Sequence, residues 1–176
     1  MKPLALITGV GPGTGASVAR RFAAAGYRTA LLARNENRLN ELASELPDSK
    51  AIVCDVTDSE ALARAVEAAG PVDVVVHNAV GGGWGTFSEI EPAMLENNFQ
   101  VNVMALLHLA RLTTPSMVQA GKGALIVTGN TSALRGRAPF AGFAPTKAAQ
   151  RILAESMARE LGPKGVHVAY LVIDAV

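Results

Sequence analysis

Cysteine is nearly absent from this chain. Cys54 is the only one in 176 residues, so no disulfide can form within the chain, and a reducing compartment, the cytoplasm, is expected. An excess of charge of one sign is also missing. Sixteen Lys and Arg stand against fifteen Asp and Glu with no basic run, which argues against a nucleic-acid surface. No apolar stretch approaches the length of a membrane span, so no membrane partner is expected. Pro3 to Ile7, after Met1-Lys2, is too short for the apolar part of a leader, and a glycine turn stands where a cleavage site would lie; the segment reads as mature protein. There is no repeat, low-complexity tract, interdomain linker or metal-ligand pattern, so residues 1–176 are expected to form a single domain without a metal.

What is present is apolar and regularly spaced. Hydrophobic residues make up 49% and charged residues 18%, enough for a sizeable core. Short apolar runs at 4–7, 29–32, 51–54, 72–76, 124–127 and 167–173 read as strands buried on both faces. Between them lie helical patterns at 16–25, from the cap Asn35 to Pro47, from Thr57-Asp58-Ser59 to Gly70, at 92–120 and at 145–161. Pro115 predicts a kink or break in the fourth, and Thr128 to Pro139 reads as a polar loop. Six strands alternating with helices imply an α/β fold: a doubly wound, Rossmann-like parallel sheet in three layers, with ligands at the C-terminal strand ends.

The first strand runs into Thr8-Gly9-Val10-Gly11-Pro12-Gly13-Thr14-Gly15 and then into a helix former. Strand, glycine turn and helix lay a phosphate against free N–H groups at a helix N-terminus; the plainer alternative is a glycine-rich turn. Gly-x-Gly-x-x-Gly does not fit. Thr-Gly-x-x-x-Gly-x-Gly does, through Gly9, Gly13 and Gly15, and it resembles the nucleotide-binding turn of the short-chain dehydrogenase/reductase family. Gly13 is expected where the pyrophosphate lies, with a positive φ.

The resemblance runs through the whole chain. Gly11, Pro12 and Thr14 complete the phosphate turn. Arg34, where NAD binders carry an acid, suits the extra phosphate of NADP, the alternative being a solvated surface Arg. Asp55, with Val56, resembles the family's contact to the adenine edge, or simply opens the next helix. Asn78-Ala79 matches the middle of an Asn-Asn-Ala-Gly element, whose ends are His77 and Val80 here; His77 reads as structural. Asn102 matches the asparagine that positions a water in a proton relay, or fills a buried polar gap. Lys147 matches the lysine of Tyr-x-x-x-Lys, which binds the nicotinamide ribose, but Phe143 stands in place of the tyrosine. Asn130 falls at the substrate-orienting serine, with Ser132 as a substitute if the loop shifts, and Ile173-Asp174 replaces Pro-Gly.

The resemblance therefore implies an NADP(H)-dependent oxidoreductase acting on a small carbonyl or alcohol with an atypical proton donor. The alternative is an inactive dinucleotide-binding or scaffold protein on the same fold. It also implies a homodimer or homotetramer, through Met94, Leu95, Val101, Leu106 and Leu109 on one long helix and Ile152, Leu153, Met157 and Leu161 on the other. The family continues past the sixth strand with a substrate loop, a helix and a strand, and a further C-terminal part is expected, because strand six would otherwise be a bare edge.

Overall fold

The computed structural model describes residues 2–174. Strands β1 (Leu4–Thr8), β2 (Arg28–Ala33), β3 (Ser49–Val53), β4 (Val74–His77), β5 (Gly123–Gly129) and β6 (Val166–Val172) pair in parallel in the order β3-β2-β1-β4-β5-β6. The helices are α1 (Thr14–Ala24), α2 (Glu36–Glu45), α3 (Ser59–Ala69), α4 (Pro92–Phe99), α5 (Ala105–Ala120) and α6 (Ala144–Leu161). Successive side chains of a strand point to opposite faces, and β1 shows the result. Leu4 and Leu6 pack into the layer of α3, α5 and α6, while Ala5 and Ile7 pack against α1 and α2. The doubly wound sheet expected from the alternation of elements is the one found.

Local signals set most helix ends. Asn35 caps α2 by accepting from the Arg38 N–H at 3.0 Å, and Asp58 caps α3 by accepting from Glu60 and Ala61. Two expectations fail. β4 ends at His77 rather than Val76, so the imidazole belongs to the sheet and is fully buried. Pro115 does not break its helix, and α5 runs through it from Ala105 to Ala120. The carbonyl of Arg111, which loses its usual donor there, lies on an exposed turn, and the neighbouring Thr113 and Thr114 hydroxyls donate back to Leu109 and Ala110. The irregularity comes earlier, in a π-helical turn at Gln100–Met104 joining α4 to α5.

The apolar surplus expected on the long helices also divides differently. Leu106, Leu109 and Leu161 belong to the core, leaving Phe99, Leu112 and Ile152 as the exposed large side chains of α4 to α6. β6 forms one edge of the sheet, with Leu171 and Val172 about half exposed. Among the described residues, no helix is long and apolar enough to cross a membrane.

His77 makes the core sensitive to pH. Its Nδ1 pairs with the Thr8 hydroxyl at 3.1 Å, and Nε2 has no hydrogen-bond partner among the described residues. Burial, with the Lys147 charge, lowers its pKa from 6.5 to about 4, the Val101 backbone pulling the other way. The unfolded chain therefore takes up a proton below pH 6.5 that the folded chain refuses until about 4. Relative to His77→Gln, the protein is expected to lose about 2–3 kcal/mol of stability between pH 7 and pH 4. Urea unfolding of both proteins across that range measures it; parallel losses would exclude His77 as the cause.

Candidate active site

The chain leaves β1 for β2 on one side and returns to β4 on the other, which opens a crevice at the C-terminal ends of β1 and β4. A cleft of about 820 Å³ lies there, running from Arg34 at the end of β2 to Phe143 and Lys147 on α6. Two of the turn's glycines serve the fold. Gly9 has φ +67°, and a Cβ on it would run into the Ala79 backbone; a Cβ on Gly15 would stand 2.7 Å from the Gly9 oxygen. Gly11 and Gly13 differ. A Cβ on either meets no atom within 4 Å, and both line the cleft. The positive φ expected at Gly13 is not found: it has φ −89° and precedes α1. No side chain caps α1 and no acid occupies its first turn, so its positive end is open toward the cleft. Thr14 lines the cleft beside these glycines; Pro12, expected in the same turn, is not part of its wall.

At the far end from α6, the exposed Arg34 guanidinium lies 4.0 Å from the Asp55 carboxylate. Asp55 Oδ1 accepts from the Thr57 N–H and hydroxyl, which hold its pKa below the usual value. This oxygen serves the turn into α3, and Oδ2 faces Arg34. Val56 and Cys54 line the same end, the thiol pushed up by burial.

In the middle, Asn78 Nδ2 donates to the Gly9 oxygen at 2.8 Å, and its Oδ1 accepts from the Thr128 hydroxyl at 3.0 Å. One amide thus ties the ends of β1, β4 and β5 together. Ala79 lines the cleft beside it.

The α6 end is built from buried polar groups. Asn102 is fully buried: its amide brackets the Gly81 N–H and C=O and donates to the Thr146 hydroxyl at 2.9 Å. It is a strap behind the cleft wall. The Asn102 backbone carbonyl accepts from Gln150 Nε2 at 2.7 Å. Asn130 Oδ1 takes the Ser132 N–H and its Nδ2 donates to the Ile173 oxygen, which braces the ends of β5 and β6. Ser132 is buried and is not part of the cleft wall. Phe143 precedes α6 and packs against Trp84, ring centres 5.5 Å apart, which in turn meets Phe140 edge-on.

Lys147 Nζ lies 5.9 Å from the Phe143 ring centre and donates to the Thr128 oxygen at 3.1 Å and to Gln150 Oε1 at 2.6 Å. It is 2% exposed, and burial lowers its pKa to about 8. Gln150, absent from the family motif, carries one sequence signal: it stands three residues after Lys147 on the same helix face.

Glycines open toward a crevice, a helix N-terminus, an arginine beyond β2 and a buried lysine on α6 are the arrangement of a dinucleotide cleft, and the comparisons agree. The family described as short chain dehydrogenase matches residues 3–175. The D-erythrulose reductase of Gallus gallus is 33% identical over 93% of this chain and 67% of its own length. Carbonyl reductase [NADPH] 2 of Sus scrofa is 31% identical over 93% of this chain and 68% of its own. The crystal structure of a metagenomic short-chain oxidoreductase in complex with NADP superposes with a TM-score of 0.91 at 29% identity, covering 99% of this chain and 83% of that one. This chain belongs to the short-chain dehydrogenase family. It spans about two thirds of the length of the curated relatives it matches.

The glycines separate two kinds of damage. Gly9→Val forces a branched residue into a positive φ against the backbone of another strand end, and should cost roughly 2–4 kcal/mol of stability. Gly13→Val meets open space, so thermal unfolding should stay near that of the unmodified protein while NADPH binding is lost. Calorimetric titration alongside thermal melts checks both; normal NADPH binding by Gly13→Val would place the phosphates elsewhere.

Proposed function

We propose that this chain is an NADP(H)-dependent oxidoreductase that interconverts a small carbonyl compound and its alcohol. The observation that carries the reading is the continuity of the cleft, from a cationic end at Arg34, past glycines that leave room for a ligand, to an ammonium on α6. Its residues fit the cofactor. Gly11, Gly13 and Thr14, at the N-terminus of α1, would hold the pyrophosphate, and Arg34 the 2′-phosphate. Asp55 and Val56 would bound the adenine, with Asn78, Ala79 and Lys147 toward the nicotinamide ribose. When bound, the cofactor supplies or accepts the hydride, and the protein supplies binding, orientation and proton transfer. The NADP and NADPH in the names of the related structure and enzyme favour the phosphorylated cofactor.

A second reading, a dinucleotide binder without turnover, is favoured by one observation: Phe143 has no hydroxyl to protonate an alkoxide. NADPH oxidation across a panel of carbonyl compounds, with binding followed in parallel, separates the two. Binding without turnover, in both the unmodified protein and Phe143→Tyr, would leave the binder. A reducing, cytoplasmic setting remains our reading of the single cysteine. Association through α4 to α6, resting on Phe99, Leu112 and Ile152, is likewise a proposal; a monomeric mass at micromolar concentration would exclude it.

Arg34 tests the cofactor assignment. The unmodified protein should bind NADPH more tightly than NADH, and Arg34→Ala should narrow that gap by roughly 1.5–3 kcal/mol, the size of a charge-assisted bond. Equal affinities of the unmodified protein for both cofactors would remove Arg34 from the site.

A further inference from the structure

With phenylalanine at position 143, a protein that reduces carbonyls needs its proton from another group. The titratable side chains lining the cleft are Arg34, Cys54, Asp55 and Lys147. The first three stand at the ends of β2 and β3, so Lys147 is the only one at the Phe143 end among the described residues. Its ammonium has three N–H donors. Two are held by the Thr128 carbonyl and the Gln150 amide oxygen, neither of which can accept a proton outright at neutral pH. The third has no hydrogen-bond partner among the described residues, and Lys147 forms part of the cleft wall. Gln150 is itself fully buried and immobilised by its bond to the Asn102 carbonyl, so it holds Nζ in one place and fills the interior space behind it.

We propose that the Lys147 ammonium, aimed by Gln150 and the Thr128 carbonyl, is the proton donor to the carbonyl oxygen, in the role a phenol would have. The inference rests on the oxidoreductase reading above. The carbonyl carbon gains the hydride, its π bond breaks onto oxygen, and that oxygen takes a proton from Nζ directly or across one water. Lys147 is left as a neutral amine, which recovers its proton from solvent through the cleft. In the direction of alcohol oxidation the neutral amine is the base.

The surroundings suit a lysine that changes charge. His77, on β4, is neutral above pH 5 and adds no charge. Tyr170, on β6, gives its hydroxyl to the Lys147 backbone oxygen, and its pKa is raised by burial. On α6 itself, Arg151 pairs with Glu155. β5, the π-helical turn and the short turn Thr131–Ala133 carry no titratable side chain. Glu96 on α4 and His108 and Arg111 on α5 make no ion pair or hydrogen bond with Nζ. Among the described residues no carboxylate therefore stabilises the ammonium, and burial brings its pKa to about 8, near the working range of a general acid.

The sign follows from which form acts. Carbonyl reduction needs the ammonium, so its rate should fall as pH rises through about 8, and alcohol oxidation should rise through the same pH. Independently of turnover, NMR titration of the five ε-¹³C-labelled lysines should show one resonance, missing in Lys147→Arg, that titrates near that pH. Lys147→Arg keeps a positive charge but cannot release a proton in this range; with NADPH binding checked by calorimetry, it should lose about 10²–10⁴ in kcat. Gln150 is a positioning residue, and its test is a shift of opposite sign. Gln150→Leu removes an acceptor from the charged form and should move both the NMR titration and the kinetic fall-off down by about one pH unit; Gln150→Glu should move both up. Turnover of Lys147→Arg within about tenfold of the unmodified protein, a pH-independent reduction, or a Lys147 resonance titrating at its ordinary value of 10.5 would each overturn the proposal. Bound NADPH without turnover in the unmodified protein would instead remove the oxidoreductase reading and this inference with it.

Discussion

The site depends on one close approach of backbone to backbone. Gly9, at the end of β1, lies against Ala79, after β4, at a distance that no side chain on Gly9 would allow. The two strand ends are adjacent because the chain reverses its direction across the sheet there. From that contact the rest follows in short steps. Asn78 is brought within reach of the Gly9 carbonyl, Thr128 of β5 within reach of Asn78, and Lys147 within reach of the Thr128 carbonyl. The Gly9–Gly15 packing sets where α1 begins, and so where its open N-terminus points. Binding and chemistry therefore share a frame, and a change at Gly9 would disturb both.

At the other end of the cleft the governing term is desolvation. An ammonium out of water costs free energy unless its donors are satisfied, and here two oxygens do that without a negative charge. A carboxylate partner would stabilise the charge and raise its pKa; neutral acceptors leave it depressed. The aromatic group of Trp84, Phe140 and Phe143 adds apolar surface beside this site.

The amides around the site share a different task. Asn102, Asn130 and Gln150 each bond to backbone groups of separate segments: Asn102 and Asn130 hold the loop residues Gly81 and Ile173, and Gln150 holds the π-helical turn. An amide serves here because it both donates and accepts without changing charge. All three therefore brace the surroundings of the site.

The sequence alone was enough for the layers of the fold, the positions of the caps and the nucleotide-binding turn. Each is a local property: apolar runs of strand length, Asn35 and Asp58 ahead of helical patterns, and glycines spaced for a turn. It was also enough to show that Phe143 cannot act as an acid, since that depends only on residue type. Tertiary structure decided what spacing cannot express. Gly9 and Gly15 serve packing while Gly13 faces the ligand space, because only the fold determines which strand end or helix approaches which glycine. Pro115 leaves its helix intact because the carbonyl it deprives lies on an exposed turn. The pairing of Gln150 with both Lys147 and Asn102 joins residues 48 positions apart. Such a bond exists only once α6 has packed against the π-helical turn, and no local pattern encodes that contact.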